Sequence, residues 1–177
     1  MNAWLADLLS PARTRPVLVA HSLACGTALR FAVDHPDRVS GLVLVSPAFL
    51  QAPVRRLARS GLAAPMMRRM SATRLARTLG IPEGAEVESA AADLRRPGVA
   101  RRVAAAVRTD IAQRPHSRAL LDRVSVPVQI VVGSADPLIE AVDHPVTEIA
   151  GAGHHPQLTH PSQVARRVGG FTAPVGG

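Results

Sequence analysis

The chain has 177 residues, enough for one globular domain burying roughly 70% of its unfolded surface, and 47% of it is apolar, which excludes a disordered tail. Its formal charge is +8, every basic residue is arginine, and the aromatics are limited to Trp4, Phe31, Phe49 and Phe171. The single cysteine, Cys25, excludes an internal disulfide framework and a thiolate zinc cluster; no apolar run approaches the roughly 20 residues of a membrane span and no charged-then-apolar leader opens the chain, so a cytoplasmic location is expected.

In chain order, residues 2–9 read as a short helix ending at Ser10-Pro11. The run Pro16-Val17-Leu18-Val19-Ala20 suits a strand buried on both faces of a parallel sheet. Ser22 to His35 reads as a helix, stopped because the residue before Pro36 disfavours the helical region. Gly41-Leu42-Val43-Leu44-Val45 is a second strand, and strand, helix and strand over about 30 residues make a βαβ unit.

From Pro53 the period becomes helical. Val54, Leu57, Ala58 and Leu62 share one face; Met66, Met67, Met70, Leu75 and Leu79 continue as an element closed by Gly80-Ile81-Pro82. Val99, Val103, Val107 and Ile111 fall every fourth residue and predict an apolar stripe. Three or four helices with no strand among them are expected here. Pro127 to Gly133 returns to a strand, Pro145 to Ala150 supplies a fourth, and Pro161 to Val168 is a closing helix with proline in its first turn. The expected class is therefore α/β, a mostly parallel sheet of about four strands interrupted by a helical insertion.

The charge follows the same division. Residues 50–125 hold fifteen arginines against six acids, and the remainder six against seven. Arginines without interleaved aromatics and without a groove-reading motif argue against nucleic acid. Solvated faces of amphipathic helices account for the surplus; an anionic ligand or membrane is the sharper reading of it.

Three junctions carry chemistry. Ala20-His21-Ser22-Leu23-Ala24 puts a serine on a strand-to-helix turn, with small residues two before and two after to permit a sharp bend. Gly133-Ser134-Ala135-Asp136-Pro137 puts a carboxylate just past the third strand, and Gly151-Ala152-Gly153-His154-His155-Pro156 puts histidine in a glycine-bracketed loop past the fourth. All three emerge at the sheet edge where ligands bind in open α/β folds. His154, His155 and His160 could suggest a metal, but no carboxylate or thiolate is spaced to complete a site, so neither a metal nor a cofactor is expected.

The runs Val17 to Ser22 and Asp34 to Ala48, the strand Val126 to Pro137 and the loop Gly151 to Pro156 resemble the α/β-hydrolase fold family, whose order of serine, acid and histidine they share. The resemblance implies core segments at 1–49 and 126–177 around a helical lid at 50–125. It further implies Ser22 as nucleophile, His154 as general base with His155 its rival, Asp136 as the group that orients the imidazole, and the Leu23 backbone N–H as an oxyanion donor. Cys25 and His21 read as packing residues of the elbow. A serine at the elbow implies cleavage of a small ester, thioester or related acyl substrate; Met66, Met67 and Met70 could line an acyl pocket, though a core stripe accounts for them too.

In that family several strands precede the elbow. At about 30 residues per βαβ unit, roughly 60–100 residues are expected to be missing, so amino-terminal truncation is expected, with loss of the loop that supplies a second oxyanion donor. The strand at Val17 would then be an open apolar edge, and the alternative function is a non-catalytic remnant that self-associates or binds a partner through it.

Overall fold

The structure, a computed structural model, describes residues 3–52, 60–140 and 144–172. A short helix α1 (Ala3–Leu9) precedes strand β1 (Val17–His21), which turns into helix α2 (Leu23–Asp34) and returns as β2 (Gly41–Val45). β1 and β2 pair in parallel, Val17 opposite Gly41 through His21 opposite Val45. Strands β3 (Val128–Gly133) and β4 (Val146–Ile149) add on in parallel, giving the order β1-β2-β3-β4. Helices α7 (Pro156–Thr159) and α8 (Pro161–Thr172) close the chain. Between β2 and β3 lie α3 (Ala63–Arg68), α4 (Ala72–Leu79), α5 (Ala85–Arg95) and α6 (Val99–Leu121).

Every residue of β2 is buried because helices cover both faces of the sheet at that strand. Leu42 and Leu44 point into a core with Leu29, Phe31 and Leu120, while Val43 and Val45 join Val131, Ile149 and Val164 on the other side. The alternation of strand side chains thus feeds two cores, each fully buried aliphatic contributing about 1.5–3 kcal/mol. β1 differs. It has a neighbour on one side only among the described residues, and Val19 is 53% exposed, so the expected burial on both faces gives way to the open edge.

Two expectations in the helical block are corrected. The element read through Met66 to Leu79 is two helices, because the Ser71 side chain accepts the Arg74 N–H and starts α4 afresh. Gly80 ends α4 in the left-handed region at φ 59°, with the Ile81 and Gly80 N–H groups on the Ala76 and Arg77 carbonyls, a Schellman closure. The stripe Val99, Val103, Val107 and Ile111 is only half-buried; Ala100, Ala104, Ser117 and Leu120 face inward instead. The small buried side chains of Ala100 and Ala104 suit close packing of α6 on its neighbours, which include α2, α3 and α5. The face assigned to Val54, Leu57 and Ala58 lies outside the described residues.

α6 is tied to the chain leaving β2. Buried Arg114 pairs with Asp110 at 3.1 Å and donates to the carbonyls of Gln51 and Ala52 and to Gln51 Oε1, while Arg118 donates to the Phe49 carbonyl at 2.7 Å. Of the fifteen arginines of this block, Arg114 is therefore an internal fastener, while Arg118, itself exposed, ties α6 to the same segment from the surface. Among the described residues, no helix is long and apolar enough to cross a membrane.

Candidate active site

The turn after β1 holds Ser22 at φ 53° and ψ −118°, a conformation that costs a residue with a Cβ about 1–3 kcal/mol. Backbone pairing fixes it there. The Ser22 N–H donates to the Val45 carbonyl at 3.0 Å, and the Ser22 carbonyl accepts from Cys25 and Ala48. Leu23 opens α2, so its N–H is one of the first-turn donors that the helix itself cannot satisfy. Cys25 is a core residue, as expected: burial pushes its thiol up, and Sγ donates to the Ala20 carbonyl.

The histidine loop is positioned by close backbone contact with the helical block. The His154 N–H donates to the Leu79 carbonyl at 2.9 Å. A Cβ on Gly153 would collide with the Gly80 carbonyl, so only glycine allows the end of α4 to meet this loop. The acid loop is held too, by an isolated antiparallel bridge between Gln51 and Ile139 and by the Leu138 N–H on Asp136 Oδ1 at 2.9 Å.

These supports bring the three expected side chains together. Ser22 Oγ lies 2.9 Å from His154 Nε2, and His154 Nδ1 lies 2.8 Å from Asp136 Oδ2. His154 is 2% exposed and Asp136 9%, while Ser22 is half-buried, so the hydroxyl is the accessible end of the chain of bonds. Burial alone would push the Asp136 carboxyl up. Hydrogen bonds from His154 and from the Leu138 N–H, with attraction to His154, outweigh it and hold the group below the usual carboxylate range. The Ser46 hydroxyl is fully buried beside this carboxylate, close enough to favour its charge but not aligned to bond it. Ser46 sits at φ 44°, a second left-handed non-glycine at the carboxyl edge of the sheet.

From the sequence, His21 is expected only to pack in the elbow. The structure adds a hydrogen bond from Nε2 to the His154 carbonyl at 2.9 Å, across 133 residues, which no local signal could have revealed. The rival base, His155, does not reach Ser22; its ring lies 4.5 Å from that of His21 and 5.3 Å from that of His154. Burial, reinforced by repulsion from the other two imidazoles, pushes His155 down to about 4. The fold thus favours its neutral form, and the stability this contributes is present above the ordinary value of 6.5 and lost as pH falls towards 4. Between about pH 7.5 and about pH 5, the wild-type chain is expected to lose on the order of 1 kcal/mol more stability than His155→Gln, after allowance for solvent screening. Urea denaturation at the two pH values checks this; parallel losses in both chains contradict it.

A cavity of about 390 Å³ opens beside Leu23 and Ala24, walled by Trp4 and by Thr109, Asp110 and Gln113 of α6. Its size falls within the range of small-molecule sites. A larger cavity, about 510 Å³, lies between α3 and the start of α6 beside Arg68, Arg96 and Arg101, and none of the site residues lines it.

Residues 2–167 match a family described as the alpha/beta hydrolase family. Among solved structures, the fold is similar to Cfl2 from Burkholderia cenocepacia (TM-score 0.74, 24% identity, covering 97% of this chain and 70% of that one). It is also similar to a thermophilic esterase from Thermogutta terrifontis (TM-score 0.68, 24% identity, 96% and 68%). A third neighbour is 2-hydroxy-6-oxo-6-phenylhexa-2,4-dienoate hydrolase from Rhodococcus sp. strain RHA1 (TM-score 0.68, 20% identity, 90% and 64%). The chain thus spans about two thirds of the length of these proteins, and slightly less for the last. A search of curated proteins gives no match.

Proposed function

The chain belongs to the alpha/beta hydrolase family, and from that premise we propose that it is a serine hydrolase of a small ester, thioester or related acyl substrate. The observation that carries this reading is the unbroken relay from Ser22 Oγ through His154 to Asp136, with links of 2.9 and 2.8 Å. In the proposed reaction His154 Nε2 takes the Ser22 proton as Oγ attacks the acyl carbon. The Leu23 N–H stabilises the oxyanion, and Asp136 keeps the Nδ1 proton in place and balances the imidazolium. His154 then protonates the leaving group; water, deprotonated by the same imidazole, attacks the acyl carbon, and the Ser22 Oγ–acyl bond breaks, releasing the carboxylic acid and returning the proton to Oγ. The cavity beside Leu23 is the proposed seat of the substrate, with residues 50–125 as its lid and the flanking segments, 1–49 and 126–177, as the core.

Hydrolysis of p-nitrophenyl acetate and butyrate and of a short acyl thioester tests the reading. Saturable turnover without added cofactor is expected. Rates equal to those of buffer alone, in folded protein and for all three substrates, overturn it.

The open edge of β1, with Trp4 60% and Val19 53% exposed, favours a second reading in which the chain self-associates through that strand and has no catalytic role. A monomer that remains stable and active at nanomolar concentration contradicts it.

A further inference from the structure

We propose that His21, His154 and His155 bind a divalent transition-metal ion of the zinc type, and that the bound ion withdraws His154 from Ser22 and switches hydrolysis off. The inhibitory half rests on the reading of His154 as the base; binding stands on the imidazoles alone.

One ring nitrogen from each histidine lies within 4.8 Å of the other two. The three rings come from different places, His21 from the end of β1 and His154 and His155 from the loop before α7. His160, which the sequence sets near His154 and His155, is outside the group, and its Nδ1 bonds Thr159 Oγ1 at 2.8 Å. Tetrahedral zinc with nitrogen ligands at about 2.0–2.1 Å needs neighbouring nitrogens about 3.4 Å apart. Closing the cluster by up to about 1.4 Å is within reach of side-chain rotation.

The surroundings of His154 suit a ligand. Its Nδ1–H is committed to Asp136, which leaves Nε2 with the lone pair, facing Ser22. A histidine whose second nitrogen donates to a carboxylate is the usual outer-shell arrangement of zinc sites, because it fixes the tautomer and raises the basicity of the ligating nitrogen. An ion on Nε2 takes the lone pair that would receive the Ser22 proton, so metal binding and general-base catalysis exclude each other at one atom. Three imidazoles and no carboxylate in contact with the ion select zinc, copper or nickel over magnesium or calcium. The fourth position stays open to water or to the Ser22 hydroxyl.

The test titrates zinc chloride against Ser22→Ala, with binding read by calorimetry and by competition with a chromogenic chelator, and then repeats the titration in the His21→Gln and His155→Gln backgrounds. Glutamine keeps much of the ring's volume, so the fold is not emptied at either position; His155→Ala serves as a second variant there. One equivalent is expected to bind, about tenfold or more weaker in each variant, with no binding of magnesium. In the wild-type chain, ester hydrolysis is expected to fall over the same zinc range and to return on chelation. Absence of stoichiometric binding, or affinity unchanged by both substitutions, overturns the proposal. Histidine-dependent binding in a chain that hydrolyses no ester would leave the metal site standing and overturn the hydrolase reading instead. Zinc-independent hydrolysis by a zinc-loaded chain would overturn the switch.

Discussion

Ser22→Ala is expected to lower kcat by about 10⁴–10⁶-fold, with KM changed by no more than a few-fold. The substitution removes the one atom that forms a bond to substrate and leaves the rest of the proposed machinery intact. The Leu23 N–H, the cavity beside it and the His154–Asp136 pair do not depend on the hydroxyl, so residual turnover above the uncatalysed rate persists. The fold is expected to survive because alanine and serine meet the same steric cost at φ 53°. Ser22→Gly provides an internal check on that strain. Without a Cβ, the glycine chain is expected to be about 1 kcal/mol more stable than the alanine chain while being equally inactive. Steady-state kinetics and urea melts of the two variants read both effects, and turnover within tenfold of wild type in either variant contradicts the assignment of Ser22.

Asp136→Asn is expected to cost about 10⁴-fold in kcat without moving the backbone. The asparagine carbonyl can still accept the Leu138 N–H, as Oδ1 does now. Its amide then faces His154 Nδ1 and must donate where the carboxylate accepted. That reverses the imidazole, putting the proton on Nε2 against Ser22 and leaving no lone pair to receive the serine's proton. The same substitution has a signature in stability. The folded chain holds Asp136 below its ordinary value of 3.8, so ionisation of this group stabilises the fold above that value, and the contribution disappears as pH falls through the depressed one. The asparagine chain lacks this dependence, and the stability difference between the two is expected to vanish in strong acid. Full activity in Asp136→Asn would show that the carboxylate does not orient His154.

Much of this architecture is legible in the residues because short-range rules govern it. Gly41 to Val45 reads as a buried strand and is one, since five consecutive apolar residues suit only the middle of a two-faced sheet. The helix after Ser22 ends at Asp34, with His35 its cap before Pro36, as the pre-proline restriction demands. The helical block is less transparent. Ala100 and Ala104 are buried on α6 although the half-buried valines look more hydrophobic, because close approach of helices rewards small side chains over large ones. The inward turn of Arg114 is equally hidden, since its partners at Gln51 and Ala52 lie 63 and 62 residues away.

The site divides in the same way. Ser22, Asp136 and His154 each follow a recognisable strand, and their meeting is a consequence of the parallel order of β1 to β4. What holds them is not written locally. The His21 bond to the His154 carbonyl, the collision that forbids a side chain on Gly153 and the buried Ser46 hydroxyl near Asp136 all depend on contacts between distant segments. The grouping of His21 with His154 and His155 belongs to this hidden part.

The most direct measurement is the site of covalent modification by a fluorophosphonate, read by mass spectrometry of the folded chain and of its peptides. One adduct is expected, on Ser22, lost in Ser22→Ala and strongly slowed in Asp136→Asn. A folded chain that takes up no probe, or an adduct on another residue that persists in Ser22→Ala, contradicts it.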